Sequence, residues 1–298
     1  MLRRFLVVVG FAALAAGCAQ NGGGSVPPFN SGTAAPTATP SPSPSPSPRG
    51  ISGTITEFPS GGMSAPDRIV AGSDGNMWFS NDCGGQIGRI TPSGTVTVFA
   101  LPTPVALPAG DVPTPSTPTA CIASLAAGPD GNVWFTELRT NRVGKITPAG
   151  TVTEFSAGIS PGATPWGIAA GRDGNLWFTE GDGGPPSYST PRIARITTSG
   201  VVTEFTQGMS AGTFPQGITA GPDGNMWFAE HGYPGPPAPP DAGEAPPQNV
   251  GRIARITMSG AVTEFAAGIM NGSGPSQIAA GPDGNLWFTE TMFPHLGR

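Results

Sequence analysis

The chain has 298 residues, enough for one large or two medium domains. Gly 46 and Pro 36 together make 82 of the 298, a richness found in disordered chains and in turn-dense β proteins. With 11% charged residues and a formal net charge of -5, a coiled coil and phosphate-driven nucleic-acid binding are both excluded. Two histidines and three cysteines are too few for a zinc module.

The first segment, 1–18, reads as a leader. Arg3 and Arg4 supply positive charge, and the apolar run from Phe5 to Ala16 is too short to span a bilayer. It closes on Leu14-Ala15-Ala16-Gly17-Cys18, which is similar to a lipobox, where cleavage precedes the cysteine and its thiol takes diacylglycerol. Cys18 is therefore the expected lipidation site, with an ordinary secretory signal as the alternative. Acyl chains contribute about 0.8 kcal/mol per buried CH₂, enough for a stable anchor. Ala19 in place of Asp is compatible with outer-membrane sorting. The expected location is the bacterial envelope, with membrane contact through the anchor alone. Residues 19–50 end in four Ser-Pro pairs, Ser41 to Pro48. Such a segment favours extended polyproline II, and at about 3.1 Å per residue it would reach roughly 100 Å. It reads as a tether.

From residue 51 the sequence repeats itself. One half-unit occurs five times, as Gly72-Ser-Asp-Gly-Asn-Met-Trp-Phe79 and then at Gly128–Phe135, Gly171–Phe178, Gly221–Phe228 and Gly281–Phe288. A second half-unit runs from Arg89 to Phe99 and returns to end in Val-Thr-Glu-Phe at Phe155, Phe205 and Phe265, with a lone copy at Ser52–Phe58. Each unit parses as four short strands, A to D. Asp-Gly marks the A–B turn because glycine accepts positive φ. Four strands per repeat make a β-propeller blade, and blades stacked face to face want apolar residues on both sides, which explains adjacent Trp and Phe in strand B. The expectation is an all-β, five-bladed propeller over 51–298, with the strand at 52–58 completing the sheet of 286–298. The alternative is a fragment of a six- or seven-bladed ring.

Alternating strand directions put the short A–B and C–D turns on one face of the ring. The insertions at 100–121, 181–191 and 231–250 fall on the other. Irregular loops on a rigid face are where scaffolds bind small molecules or proteins. Cys83 and Cys121 lie on this same face in adjacent blades, close enough to pair in an oxidising compartment. Nothing in the sequence asks for more than a monomer.

The repeat Gly-Pro-Asp-Gly-Asn-Leu-Trp-Phe-Thr-Glu, with Arg-Ile-Thr and Val-Thr-Glu-Phe, resembles the streptogramin B lyase (virginiamycin B lyase) family of seven-bladed propellers. The resemblance implies opening of a cyclic depsipeptide by elimination at an ester, with Mg²⁺, histidine and glutamate. The histidine slots implied by the family, at the start of strand A, hold Asp67, Ala123, Trp166, Gln216 and Ser276. Elimination needs a base, so His231, next to Glu230, is the candidate catalytic pair. Glu137, Glu180, Glu230 and Glu290 end strand B, with Asn81 in the first blade; they form a candidate oxygen-ligand ring for a hard cation. A residue repeated in nearly every blade also reads as a fold residue. Asp67, Asn81, Glu137, Trp166, Glu180, Gln216 and Glu290 make the expected binding rim. His295 is a weaker candidate, and Glu154, Glu204 and Glu264 read as outer-edge solubilising residues. Lactone hydrolysis of the gluconolactonase kind has no motif of its own here. A binding scaffold is the first expectation and a C–O lyase the second.

Overall fold

The computed structural model describes residues 55–102, 120–181, 190–232 and 251–298. The expected leader with Cys18, the tether, and most of the three insertions lie outside the described residues. Within them every regular element is a strand, and the strands fall into five antiparallel sheets. Blade 1 holds β1 (Pro66–Ala71), β2 (Met77–Asn81), β3 (Gln86–Ile90) and β4 (Val96–Ala100). Blade 2 holds β5 (Ile122–Ala127), β6 (Val133–Glu137), β7 (Arg142–Ile146) and β8 (Val152–Phe155). Blade 3 holds β9 (Pro165–Ala170), β10 (Leu176–Glu180), β11 (Arg192–Ile196) and β12 (Val202–Phe205). Blade 4 holds β13 (Thr213–Ala220), β14 (Met226–Gly232), β15 (Arg252–Ile256) and β16 (Val262–Phe265). Blade 5 has three strands, β17 (Pro275–Ala280), β18 (Leu286–Glu290) and β19 (His295–Gly297). This is the all-β propeller architecture that the repeat predicts.

Blade 3 shows why the repeated residues are needed. The A–B turn closes with Gly171 N–H donating to the Asn175 carbonyl at 2.8 Å, and Gly174 takes φ +76°. Asp173 accepts the Asn175 amide at 3.2 Å and the Trp177 indole N–H at 3.2 Å. Burial raises the Asp173 pKa, but these hydrogen bonds outweigh it and hold the carboxyl below its usual range. One carboxylate thus shapes the turn and fixes the ring four residues later. Trp177 then stacks on Phe205 at 5.4 Å, and the Arg195 guanidinium lies over the indole at 5.5 Å.

The other face of each junction is the neighbouring blade. Trp177 and Ile193 pack against Ile218, Met226, Phe228 and Ile256 of blade 4, and Trp134 of blade 2 packs the same way on blade 3. Trp134 and Trp177 are fully buried. A buried indole removes on the order of 200 Å² from water, worth up to ~5 kcal/mol at about 25 cal/mol/Å². Polar latches run in parallel. Arg89, Lys145 and Arg195 each donate to a carbonyl in the C–D turn of the following blade, on Pro148, Thr198 and Met258.

The expected completion of the last sheet by 52–58 is not what the structure shows. Thr56, Glu57 and Phe58 belong to no strand, Ile55 is 89% exposed, and β19 pairs with β18 alone among the described residues. Inner strands pack in succession, β1 on β5, β5 on β9, β9 on β13 and β13 on β17, with no comparable contact from β17 back to β1. A Trp, a Phe and a basic residue, Arg89, Lys145, Arg195 or Arg255, recur from junction to junction and repeat one packing along the row. Phe58 nonetheless lies over Gly94 as Phe99 lies over Gly150, so it takes the place of a strand D phenylalanine ahead of blade 1.

Candidate ligand-binding site

The inner strands share a local irregularity. Each pairs with its strand B in register except at its start, where the ladder shifts between Pro66 and Ile69, Ile122 and Ser124, Pro215 and Ile218, and Pro275 and Ile278. Blade 3 shifts at the same place, opposite Phe178 and Glu180. Asp67, Ala123, Trp166, Gln216 and Ser276 sit in these bulges, which re-aim side chains out of the ladder. A strand B hydroxyl accepts the backbone N–H just past the slot in blades 1, 3 and 5, from Ser80, Thr179 and Thr289, whereas blade 4 has Ala229 there. Thr179 Oγ1 accepts the Gly167 amide at 2.9 Å and donates to the Gln216 carbonyl of the next blade at 2.6 Å. Thr136 does the same toward the Trp166 carbonyl. The buried hydroxyls of Thr136 and Thr179 therefore set the positions of Trp166 and Gln216 from the blade before each.

Three blades bring their slot residues together. The Trp166 ring meets Phe214 edge-on at 5.6 Å, and Ser276 Oγ donates to Gln216 Oε1 at 2.6 Å. Trp166, Phe214, Gln216 and Ser276 are all half-buried. A small cavity of about 70 Å³ is lined by residues of all five blades, among them Arg68, Ser124, Trp166, Gly167, Gly217 and Gln277. Asp67 stands apart from this strip, exposed and paired with Arg68 at 3.1 Å. Phe214 was not among the expected site residues. Its signal is that it breaks the repeat in the place taken by Ala65, Cys121, Thr164 and Gly274.

His231 stands opposite Phe214 in the β13–β14 ladder, and its Nε2 lies 3.2 Å from Thr291 Oγ1. Burial lowers its pKa from the usual histidine range, so the ring is neutral at pH 7. Glu230 is fully buried and its Oε1 faces Thr213 Oγ1 at 3.3 Å. Adjacent strand residues point to opposite faces, so His231 and Glu230 do not form a catalytic pair. His295 lies 3.6 Å from Glu290.

The strand B glutamates are engaged within their own blades. Glu137 accepts from the Thr140 hydroxyl and lies near Arg142 and Glu154. Glu180 lies among Arg192 and Glu204, and Glu230 among Arg252 and Glu264. Glu137, Glu180 and Glu230 are each at most 1% exposed. Among the described residues no three His, Cys, Asp or Glu side chains stand close enough to hold a metal ion. These carboxylates do not fit the magnesium site that the family resemblance implies.

The reading of Glu154, Glu204 and Glu264 as solubilising residues is corrected. Glu154 takes Arg142 at 2.8 Å, and Glu204 and Glu264 lie 3.7 and 3.3 Å from Arg192 and Arg252. Ser160 Oγ and Ser210 Oγ, from the D–A loops, each donate at 2.6 Å to Glu204 and Glu264. In blade 1 the same three places hold Asn81, Gln86 and Val98, and Asn81 Nδ2 donates to Gln86 Oε1 at 2.9 Å. Cys83 and Cys121 form a disulfide between the first B–C loop and the entry to blade 2.

Comparison with known proteins now bears on this site. The profile of the Virginiamycin B lyase family matches residues 111–233. The structure of a catalytically inactive virginiamycin B lyase variant from Staphylococcus aureus, solved with quinupristin, is 31% identical with a TM-score of 0.61; the match covers 83% of this chain and 74% of that one. The chain belongs to the virginiamycin B lyase family. A selenomethionine form of the S. aureus enzyme is 33% identical with a TM-score of 0.57, covering 74% of this chain and 62% of that one. A virginiamycin B lyase from Nocardia farcinica is 36% identical over 106 residues, covering 36% of this chain and 32% of that protein. The chain thus spans about a third of that relative and under two thirds of the selenomethionine structure.

Proposed function

We propose that this chain is a binding member of its family, holding a neutral ligand on the strip Trp166, Phe214, Gln216 and Ser276. One observation carries the reading: the five inner-strand bulges carry no imidazole, and three of them join an aromatic pair to an amide and a hydroxyl instead. Aromatic faces take apolar or ring-bearing groups, and an amide takes carbonyls or hydroxyls. Neither selects a charge. The cyclic depsipeptide quinupristin, present with the S. aureus relative, is the first ligand to test. The Cys83–Cys121 disulfide suits an oxidising compartment, in keeping with an envelope protein anchored through Cys18.

Titration calorimetry with quinupristin should show binding without ring opening. Trp166→Ala should weaken it at least about tenfold, or 1.4 kcal/mol. Unchanged affinity in that variant would remove the strip from the reading. A second reading, a C–O lyase, is favoured by one feature: the half-buried, neutral ring of His231 on the same face. Its Nε2 would take a proton from the carbon next to the one bearing the ester oxygen, and the freed electron pair would form a C=C bond as the C–O bond breaks and the carboxylate leaves. Ring opening, with or without magnesium, that disappears in His231→Ala would establish the lyase over the scaffold.

A further inference from the structure

On the loop-bearing face three blades repeat one arrangement of charge. Glu137 and Glu154 share Arg142, Glu180 and Glu204 share Arg192, and Glu230 and Glu264 share Arg252. Each group sets two carboxylates against one guanidinium. If both carboxylates were ionised, one negative charge would be left in the interior of each blade. The donors fall short in the same way. Glu137 Oε1, Glu154 Oε1, both Glu180 oxygens and Glu230 Oε2 are buried with no hydrogen-bond partner. In each pair the two carboxyls lie within hydrogen-bonding reach of one another. A carboxylic acid donating to its neighbour would remove both the excess charge and the missing donor. Blade 1 meets the same need with Asn81, Gln86 and Val98, which carry no charge at all.

We propose that each of these three carboxylate pairs holds one proton in the folded protein at neutral pH, and that losing it releases the D–A loops tied to Glu204 and Glu264. The ties are direct. Ser160 and Ser210 each give a backbone N–H and a hydroxyl to one of these carboxylates. When the pair loses its proton, two negative charges face each other across the buried site and the partner glutamate is pushed away from its serine. The groups facing Glu180 are Arg192 on β11 and Glu204 on β12. Those facing Glu230 are Arg252 on β15, Glu264 on β16 and Thr213 on β13. Burial, followed by the facing glutamate, raises Glu180 and Glu230 to about 8; burial and Glu154 raise Glu137 to about 7, against its Thr140 and Arg142 contacts.

Amide hydrogen exchange of the full chain tests this without any ligand, so its outcome is independent of the binding experiment. After correction for intrinsic exchange, protection at 156–164 and 206–213 should fall at least about tenfold between about pH 6 and about pH 10. Protection at 60–65, beside the neutral blade 1 set, should stay level. Glu180→Gln should make 156–164 insensitive to pH while 206–213 still responds. Level protection in the wild type, or an unchanged response at 156–164 in the variant, overturns the proposal. Infrared spectroscopy of the wild type at neutral pH gives a second check that needs no variant. It should show a buried carboxylic acid C=O band that shifts in D₂O and fades above about pH 9, and its absence at neutral pH overturns the proposal equally.

Discussion

At the residue scale, glycine and glutamate show what a repeat conceals. Gly200 is required twice over. It takes φ +95°, and a Cβ there would lie 2.2 Å from the Phe155 ring. Gly174 takes φ +76° with nothing within 4 Å of the same position. Gly174→Ala should therefore cost only the backbone penalty, about 1–2 kcal/mol, and Gly200→Ala that plus overpacking, about 2–5 kcal/mol in all. Urea denaturation of the two variants checks the difference, and equal losses would mean the ring contact carries no weight. The glutamates titrate in the opposite sense from surface carboxylates. Folded values raised to about 8 for Glu180 and Glu230 against an ordinary 4.5 mean that their stabilisation is complete below that ordinary value and is lost as pH rises toward 8. The midpoint of unfolding should accordingly be higher near pH 5 than near pH 9, and Glu180→Gln should flatten part of that slope. None of this was visible from one glutamate at a time. The signal lay in blade 1, where Asn81, Gln86 and Val98 change together.

At the scale of elements, strands and turns were legible because their chemistry is local. Asp-Gly-Asn closes its turn with its own carboxylate, and Trp-Phe needs a sheet buried on both sides. The site was less legible because its parts come from separate blades. Trp166 sits in the bulge of β9 and meets Phe214, which pairs with His231 just ahead of the bulge of β13, and a bulge leaves no mark in a hydrophobic pattern. The cysteine pair was readable from topology, since both lie on the loop-bearing face. Their disulfide spans 38 residues and joins two loops already linked by Ile122 N–H to the Asp82 carbonyl at 3.0 Å. Cross-linking a loop of that length stabilises by about 4 kcal/mol in the chain-entropy model. Cys83→Ser, or reduction of the wild type, should lower the denaturation midpoint accordingly. A change near zero would show that the backbone links alone hold the two loops.

At the scale of the molecule, the arc of blades behaves as a row of nearest neighbours, and stability need not be even along it. Trp134 and Trp177 are fully buried, whereas Trp287 in blade 5 is 41% exposed. Backbone amides of β6 and β10 should be the slowest to exchange and those of β18 among the fastest. Equal rates would show that the blades unfold as a single unit. The closure expected from the sequence failed at this scale, because the repeat specifies each junction but not the sum of their angles. The latches also share a direction. Arg89, Lys145 and Arg195, the strand D phenylalanines, and Thr136 and Thr179 all reach from one blade to the one that follows it in sequence. A nascent chain leaving the ribosome can therefore settle each module only after its successor has emerged, so synthesis would proceed with one unfinished module always at the exit.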